Sequence, residues 1–247
     1  MHEAARRLLE SGRVDGRTGT HPLHSAIDAA EAACLSELVE ADPTVTRTLE
    51  VGCGYGVSAL TIAGATAGRP GADHTVIDPH QRTEWDGAGL LQLERAGLTH
   101  VTPIERPSEQ ALPELAATQA GRFHLVFIDG WHTFDHVMVD AFYATRLLAV
   151  GGYLALDDVT FPSVRRAVDH LLAFPCYAQH AVVALPVRRT LKRRLARFVL
   201  SVLPRRWGAA ALAPELRRRI AGREESLVVL RKISADERNW DWDPDAR

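Results

Sequence analysis

Cysteine is scarce in this chain of 247 residues: Cys34, Cys53 and Cys176 are scattered and in no metal-ligand spacing. That excludes a disulfide-stapled miniprotein, and the three read as reduced, mostly buried thiols. No run of eighteen apolar residues occurs. The opening MHEAARRLLESGR also lacks the apolar core of a signal peptide, so a cytoplasmic protein is expected. There is little net charge. With 29 basic against 31 acidic residues, the balance of -2 gives no whole-chain case for nucleic acid binding. Internal repeats and long low-complexity linkers are missing too. What is present, 46% hydrophobic and 24% charged residues, excludes a collagen-like or disordered chain and leaves enough apolar surface for a substantial core.

From about residue 47, short apolar runs alternate with stretches of helical period, the pattern of a parallel sheet with crossover helices. Strands are expected at Thr48–Val51, His74–Ile77, Val101–Ile104, His124–Ile128, Tyr153–Leu156, Ala181–Leu185 and Leu227–Leu230. Helices are expected at Ser58–Ala67, Gly89–Ala96, Ser108–Thr118, Thr133–Leu148 and Ser163–Phe174, and a further helical segment at Pro22–Val39. The fold class is α/β, Rossmann-like and doubly wound, in a single domain. Residues 1–44 form an N-terminal helical segment and 45–185 the core. A basic helical insert covers 186–224, and 225–247 hold the last strand and tail.

In such a sheet, ligands sit outside the carboxyl ends of the strands. Acids collect there: Glu50 before Gly52, Asp78, Asp129 and the pair Asp157-Asp158 each close an apolar run. The segment LEVGCGYGVSAL is a strand, a glycine-rich turn and a helix start, and its glycines at 52, 54 and 56 allow positive φ and close approach to a ligand. A dinucleotide fingerprint needs a glycine at the sixth position, where Val57 stands. Glu50 would repel a pyrophosphate but suits an ammonium or sulfonium ligand. Asp78, ending the second run, can accept both hydroxyls of a ribose.

These residues resemble class I S-adenosylmethionine-dependent methyltransferases, with E-x-G-x-G-x-G on the first strand and an acid ending the second. The resemblance, over roughly residues 45–175, implies a seven-stranded sheet with a reversed final hairpin. It also implies that the loop with Gly52, Gly54, Tyr55 and Ser58 wraps the methionine part of the cofactor, beside Glu50. Asp78 would then hold the ribose, Ser108 would lie by the adenine, and Asp129 would border the cofactor. Ser108 also reads as a helix N-cap.

Asp129 and His132 lie on one turn, and Asp157 and Asp158 end the next strand. Three carboxylates from adjacent strand ends repel unless paired, and an all-oxygen set favours a hard cation such as Mg²⁺. Capping of the helix near Ser163, or pairing with Arg165 or Arg166, is the alternative. His132 has the ordinary pKa of a general base near neutral pH; His124 and His136 read as structural donors. The spacing Asp-Gly-x-His, a helix, then Gly-Gly-strand-Asp-Asp is similar to metal-dependent sugar O-methyltransferases of antibiotic and macrolide pathways. That resemblance implies Asp129, Asp157 and Asp158 as metal ligands, His132 as the base, and transfer to a hydroxyl of a small-molecule acceptor.

Residues 188–223 hold twelve Arg and Lys against one acid, Glu215, with apolar residues from Leu191 to Leu203 at helical spacing. This reads as a lid or dimer helix, or as contact with a membrane or a carrier-bound substrate. A homo-oligomer stays open. Two other classes of function also remain at this level: a nicotinamide-dependent oxidoreductase, and a non-catalytic Rossmann-like scaffold attached through the basic helix.

Overall fold

The computed structural model describes residues 1–186 and 223–243. The basic insert, apart from its first and last residues, lies outside the described residues, as do 244–247. An N-terminal portion comprises α1 (Glu3–Ser11), β1 (Arg13–Asp15), β2 (Thr20–Pro22) and α2 (Ala29–Ala41). The core follows as β3 (Arg47–Val51), α3 (Val57–Thr66), β4 (Asp73–Ile77), α4 (Ala88–Arg95), β5 (Val101–Ile104) and α5 (Ser108–Gln119). It continues with β6 (Phe123–Ile128), α6 (Phe134–Leu147), β7 (Leu148–Leu156), α7 (Pro162–Leu171), β8 (Tyr177–Pro186) and β9 (Arg223–Lys232).

The seven-stranded sheet has the order β5-β4-β3-β6-β7-β9-β8. Its first five strands are parallel, while β9 runs antiparallel to both β7 and β8, as the reversed final hairpin requires. Alternating side chains serve two cores, the behaviour of strands buried on both faces. Leu125 and Phe127 of β6 pack with α1–α4, and Val126 and Ile128 pack with α5–α7. The Rossmann-like class read from the sequence is the observed architecture. Among the described residues no helix is long and apolar enough to cross a membrane.

The N-terminal portion differs from expectation. The helix placed at Pro22–Val39 begins only at Ala29, because Asp28 accepts the N–H groups of Ala30 and Glu31 while Glu31 accepts that of Asp28, a capping box. Pro22 instead ends β2, whose hairpin with β1 is clasped by Asp86: its carboxylate accepts the Thr18 N–H and hydroxyl and lies 2.9 Å from His21 Nε2. At the other end of the chain, Trp242 packs edge-on against Phe174, just after α7, with centroids 5.4 Å apart, and against His170 in the last turn of α7.

The feature that positions the site is the register of the parallel strands. Val51 pairs with both Ile77 and Ile128, and Ile128 pairs with Leu156. Their ends are therefore level, and the next residues, Gly52, Asp78, Asp129 and Asp157, stand in one row. The ladder continues into that row, with Gly52 N–H donating to Ile77 O, Asp129 N–H to Val51 O and Asp157 N–H to Ile128 O, at 2.8–3.0 Å.

At Gly52 φ is +90°, and a Cβ there would lie 2.0 Å from the Asp129 carbonyl oxygen, so backbone must move. Gly68 has φ +78° with open space around it. Gly68→Ala should therefore cost only the left-handed penalty of about 1–2 kcal/mol. Gly52→Ala should cost about 1–3 kcal/mol more through the clash, read as the difference in thermal midpoint. Equal losses at both positions would contradict the close approach.

Candidate active site

The row of strand ends opens into a cavity of about 930 Å³, within the usual range for a small-molecule site. Gly52, Gly54, Tyr55, Ser58, Asp78, Ser108, Asp129, His132, Asp157 and Asp158 all line it. Glu50 does not. Its side chain is wholly buried behind the wall, accepting the Ser58 hydroxyl, with His74 Nε2 3.3 Å away. His74 Nδ1 in turn lies 2.8 Å from the Thr48 hydroxyl. A carboxylate expected to meet a ligand directly thus reaches the cavity only through Ser58.

Asp78 is the clamp of the glycine loop. Its Oδ2 accepts the N–H groups of Cys53 and Gly54 at 3.1 and 2.9 Å, and its Oδ1 accepts that of His80 at 2.8 Å. Gln81, which the sequence reading missed, donates to the same Oδ2 and to Gly54 O, locking the turn. Oδ1 accepts one backbone N–H and so has a lone pair to spare, and Asp78 lines the cavity. Tyr55 closes this end, its hydroxyl 3.0 Å from His24 Nε2 and its ring edge-on to Trp85 at 5.0 Å. Ser108 is the first residue of α5 rather than its N-cap, which is Pro107, and it lines the cavity.

At the other end, His132 Nε2 lies 2.9 Å from Asp158 Oδ2 and 3.8 Å from Asp129 Oδ1. One ligand atom from each of the three residues falls within 4.8 Å of the others. Asp158 has φ +53°, a left-handed conformation that aspartate tolerates better than most residues. The His132 carbonyl accepts the Ser163 hydroxyl, and Phe161 stacks on the imidazole with centroids 5.0 Å apart. Asp157 stays apart from this trio. It is 7% exposed, and its Oδ1 has no hydrogen-bond partner among the described residues. Arg165 pairs with Glu225 and Asp169, and Arg166 lies over the Phe134 ring, so neither arginine neutralises the acidic pair. Among the expected structural histidines, His124 Nδ1 accepts the Thr46 and Arg47 N–H groups. His136 lines the cavity beside the exposed Trp131.

Crowding sets the protonation states. Burial, and then the facing Asp129 and Glu31, hold the Asp157 carboxyl far above the ordinary carboxylate range. Burial likewise raises Asp129. The carboxylates of Asp129 and Asp158 raise His132 to about 10. The donor set fits a hard divalent cation in part: Asp129 and Asp158 supply oxygen atoms within 4.8 Å of one another and of the His132 ring, and the orphaned Asp157 Oδ1 is a buried acceptor to which no described residue donates.

Residues 49–159 match the family model described as a methyltransferase domain. No curated protein sequence matches the chain. Among solved structures, the O-methyltransferase TomG of Streptomyces achromogenes, involved in tomaymycin synthesis and solved with S-adenosylmethionine, is 18% identical with a TM-score of 0.62; the match covers 94% of this chain and 91% of that one. An O-methyltransferase of Bacillus cereus in complex with S-adenosylhomocysteine is 15% identical, TM-score 0.60, covering 85% and 84%. The S-adenosylhomocysteine-bound methyltransferase PaMTH1 of Podospora anserina is 17% identical, TM-score 0.59, covering 94% and 88%. At these identities the likeness is one of fold.

Groups held above their ordinary pKa keep protons that the unfolded chain releases, so their contribution to stability is full at low pH and declines as pH rises. Asp157 and Asp129 lose theirs above the ordinary carboxylate range, and His132 between about 6.5 and about 10. In the absence of divalent cations the thermal midpoint should fall from about pH 6 to about pH 9, and Asp157→Asn should flatten the decline. A midpoint that is level or rising over that range in the parent protein would contradict the crowded-carboxylate description.

Proposed function

We propose that this chain, whose residues 49–159 match a methyltransferase-domain family model, is a class I S-adenosylmethionine-dependent enzyme that methylates a hydroxyl of a small-molecule acceptor such as a sugar, a phenol or a polyketide. One observation carries the reading: a glycine loop clamped by Asp78 shares a single cavity with the imidazole of His132 and three carboxylates on level strand ends. The O-methyltransferase neighbours of the same fold support it. A nicotinamide reading is not favoured, since Val57 stands where the third glycine of that fingerprint is required.

The cofactor end is the glycine loop, with Tyr55 and Ser58 around the methionine portion, Asp78 toward the ribose and Ser108 toward the adenine. Asp129, Asp157 and Asp158 would hold a divalent cation, Mg²⁺ by the chemistry of the oxygen donors. When bound, S-adenosylmethionine supplies an electrophilic methyl group, and the cation supplies Lewis acidity at the acceptor hydroxyl. His132 is the proton acceptor. In the ion-free arrangement it carries a proton, because Asp129 and Asp158 stabilise the imidazolium. Engaging those two carboxylates elsewhere weakens that stabilisation and frees the imidazole to take the hydroxyl proton. The walls of the cavity supply the rest of the rate by holding nucleophile, carbon and sulfur in line.

With labelled S-adenosylmethionine and a panel of glycosylated and phenolic hydroxyl compounds, chelator should abolish turnover and Mg²⁺ should restore it. His132→Ala should lower kcat by about 10²–10⁴-fold and flatten the acid limb of the pH profile. Full activity in chelator would remove the cation from the account while leaving His132 as the base. Failure of the parent protein to bind S-adenosylhomocysteine would remove the function itself.

A further inference from the structure

Gln81 sits behind the cavity wall, 1% exposed, and is not among the residues that line it. Its side-chain amide nevertheless joins three parts of the cofactor end. Nε2 donates to the Gly54 carbonyl at 2.8 Å and to Asp78 Oδ2 at 2.9 Å. Oε1 accepts the Leu90 N–H at 3.4 Å, in the first turn of α4, where the N-cap, Gly87, brings no side chain. The Gln81 backbone holds the same helix end, its carbonyl accepting the Gly87 N–H at 2.6 Å. The amide can face only one way, since turning it over would set its oxygen against two acceptors.

Gly54 is where these bonds converge. Its φ is +49°, its N–H goes to Asp78 and its carbonyl to Gln81. Both backbone polar groups of Gly54 are therefore answered by residues 78–81 before any ligand arrives. The start of α4 presses on the same spot. A Cβ at Gly89 would lie 2.7 Å from both the Gly54 carbonyl oxygen and Cys53 Sγ, and 3.0 Å from Gln81 Oε1. A Cβ at Gly56 would lie 2.9 Å from Gly89 Cα. Loop, helix and amide are packed with no room for a side chain between them. A loop already held in shape needs no ordering at binding, and affinity gains by that amount.

We propose that Gln81 is a positioning residue for the cofactor: it fixes Gly54 and the Asp78 carboxylate, which both line the cavity, in the arrangement that S-adenosylmethionine meets. It acts through those two residues and touches no ligand atom itself. This inference rests on the methyltransferase reading above and deepens its cofactor half.

Gln81→Met tests it, because methionine keeps the unbranched length, fills the same gap and removes the N–H donors. Calorimetry with S-adenosylhomocysteine should show affinity weakened by about 10- to 100-fold, the size of a lost hydrogen bond to a charged group. In turnover of the hydroxyl panel the loss should fall on KM for S-adenosylmethionine, with KM for the acceptor unmoved. Gly68→Ala is the stability control, since its strain lies just after α3 and outside the cavity wall. Its affinity for S-adenosylhomocysteine should equal that of the parent. Amide exchange of the unliganded parent gives a second reading that needs no variant: the Cys53 and Gly54 amides should already be protected. Unprotected amides there would overturn the proposal, as would parent-like affinity in Gln81→Met or an equal weakening in Gly68→Ala. If the parent itself binds no S-adenosylhomocysteine, the methyltransferase reading fails first, and this inference with it.

Discussion

Parallel pairing that brings β3, β4, β6 and β7 to a common level is the constraint on which the rest of this structure depends. Three backbone bonds carry the ladder one residue past the strands, onto Gly52, Asp129 and Asp157. The backbone there is fixed, so the acids start from neighbouring positions whatever their rotamers. The row gathers acids at one buried edge: burial first, and then their neighbours' charges, raise Asp129 and Asp157, and the flanking carboxylates raise His132. A site that holds such repulsion in place is prepared for positive charge, and its geometry exists before any ligand arrives.

The same row couples the two halves of the cavity. Gly52 approaches the Asp129 carbonyl so closely that no side chain fits between them, which brings the glycine loop directly against the first acid of the row. Asp78 then fixes the loop from the other side through the Cys53 and Gly54 amides. On the proposed function, a cofactor on the loop and an acceptor by the acids would share one backbone frame. Transfer in line along nucleophile, carbon and sulfur needs that kind of common reference.

Much of this was legible from local signals. Each strand-end acid follows an apolar run, so Asp78, Asp129, Asp157 and Asp158 could be placed by the periodicity that marks the strands, and parallel topology does the alignment. What escaped depends on direction or on tertiary contact. Glu50 carries the right charge, but its side chain turns into the interior, where His74 and Ser58 receive it; both faces of β3 are covered, and the sequence does not say that the Glu50 side chain stops short of the cavity. Pro22 looks like a helix start, yet the D-x-x-E pattern of Asp28 and Glu31 is the stronger local signal and sets the true beginning of α2. That pattern is readable, whereas the arrival of Glu31 at the cavity wall is not, because it depends on how α2 packs. His132 between Asp129 and Asp158, with Asp157 left out, is likewise a matter of rotamers around a shared charge.

The central claim is that level strand ends make a cation-assisted methyl-transfer site. Crystals grown with S-adenosylhomocysteine and Mn²⁺, measured for anomalous scattering, test it most directly. The account predicts one strong anomalous peak with Asp129, Asp157 and Asp158 as ligands, His132 Nε2 withdrawn from Asp158, and the homocysteine portion on the Gly52–Gly56 loop. S-adenosylhomocysteine bound with no anomalous peak at the acids, and His132 still resting on Asp158, would contradict it.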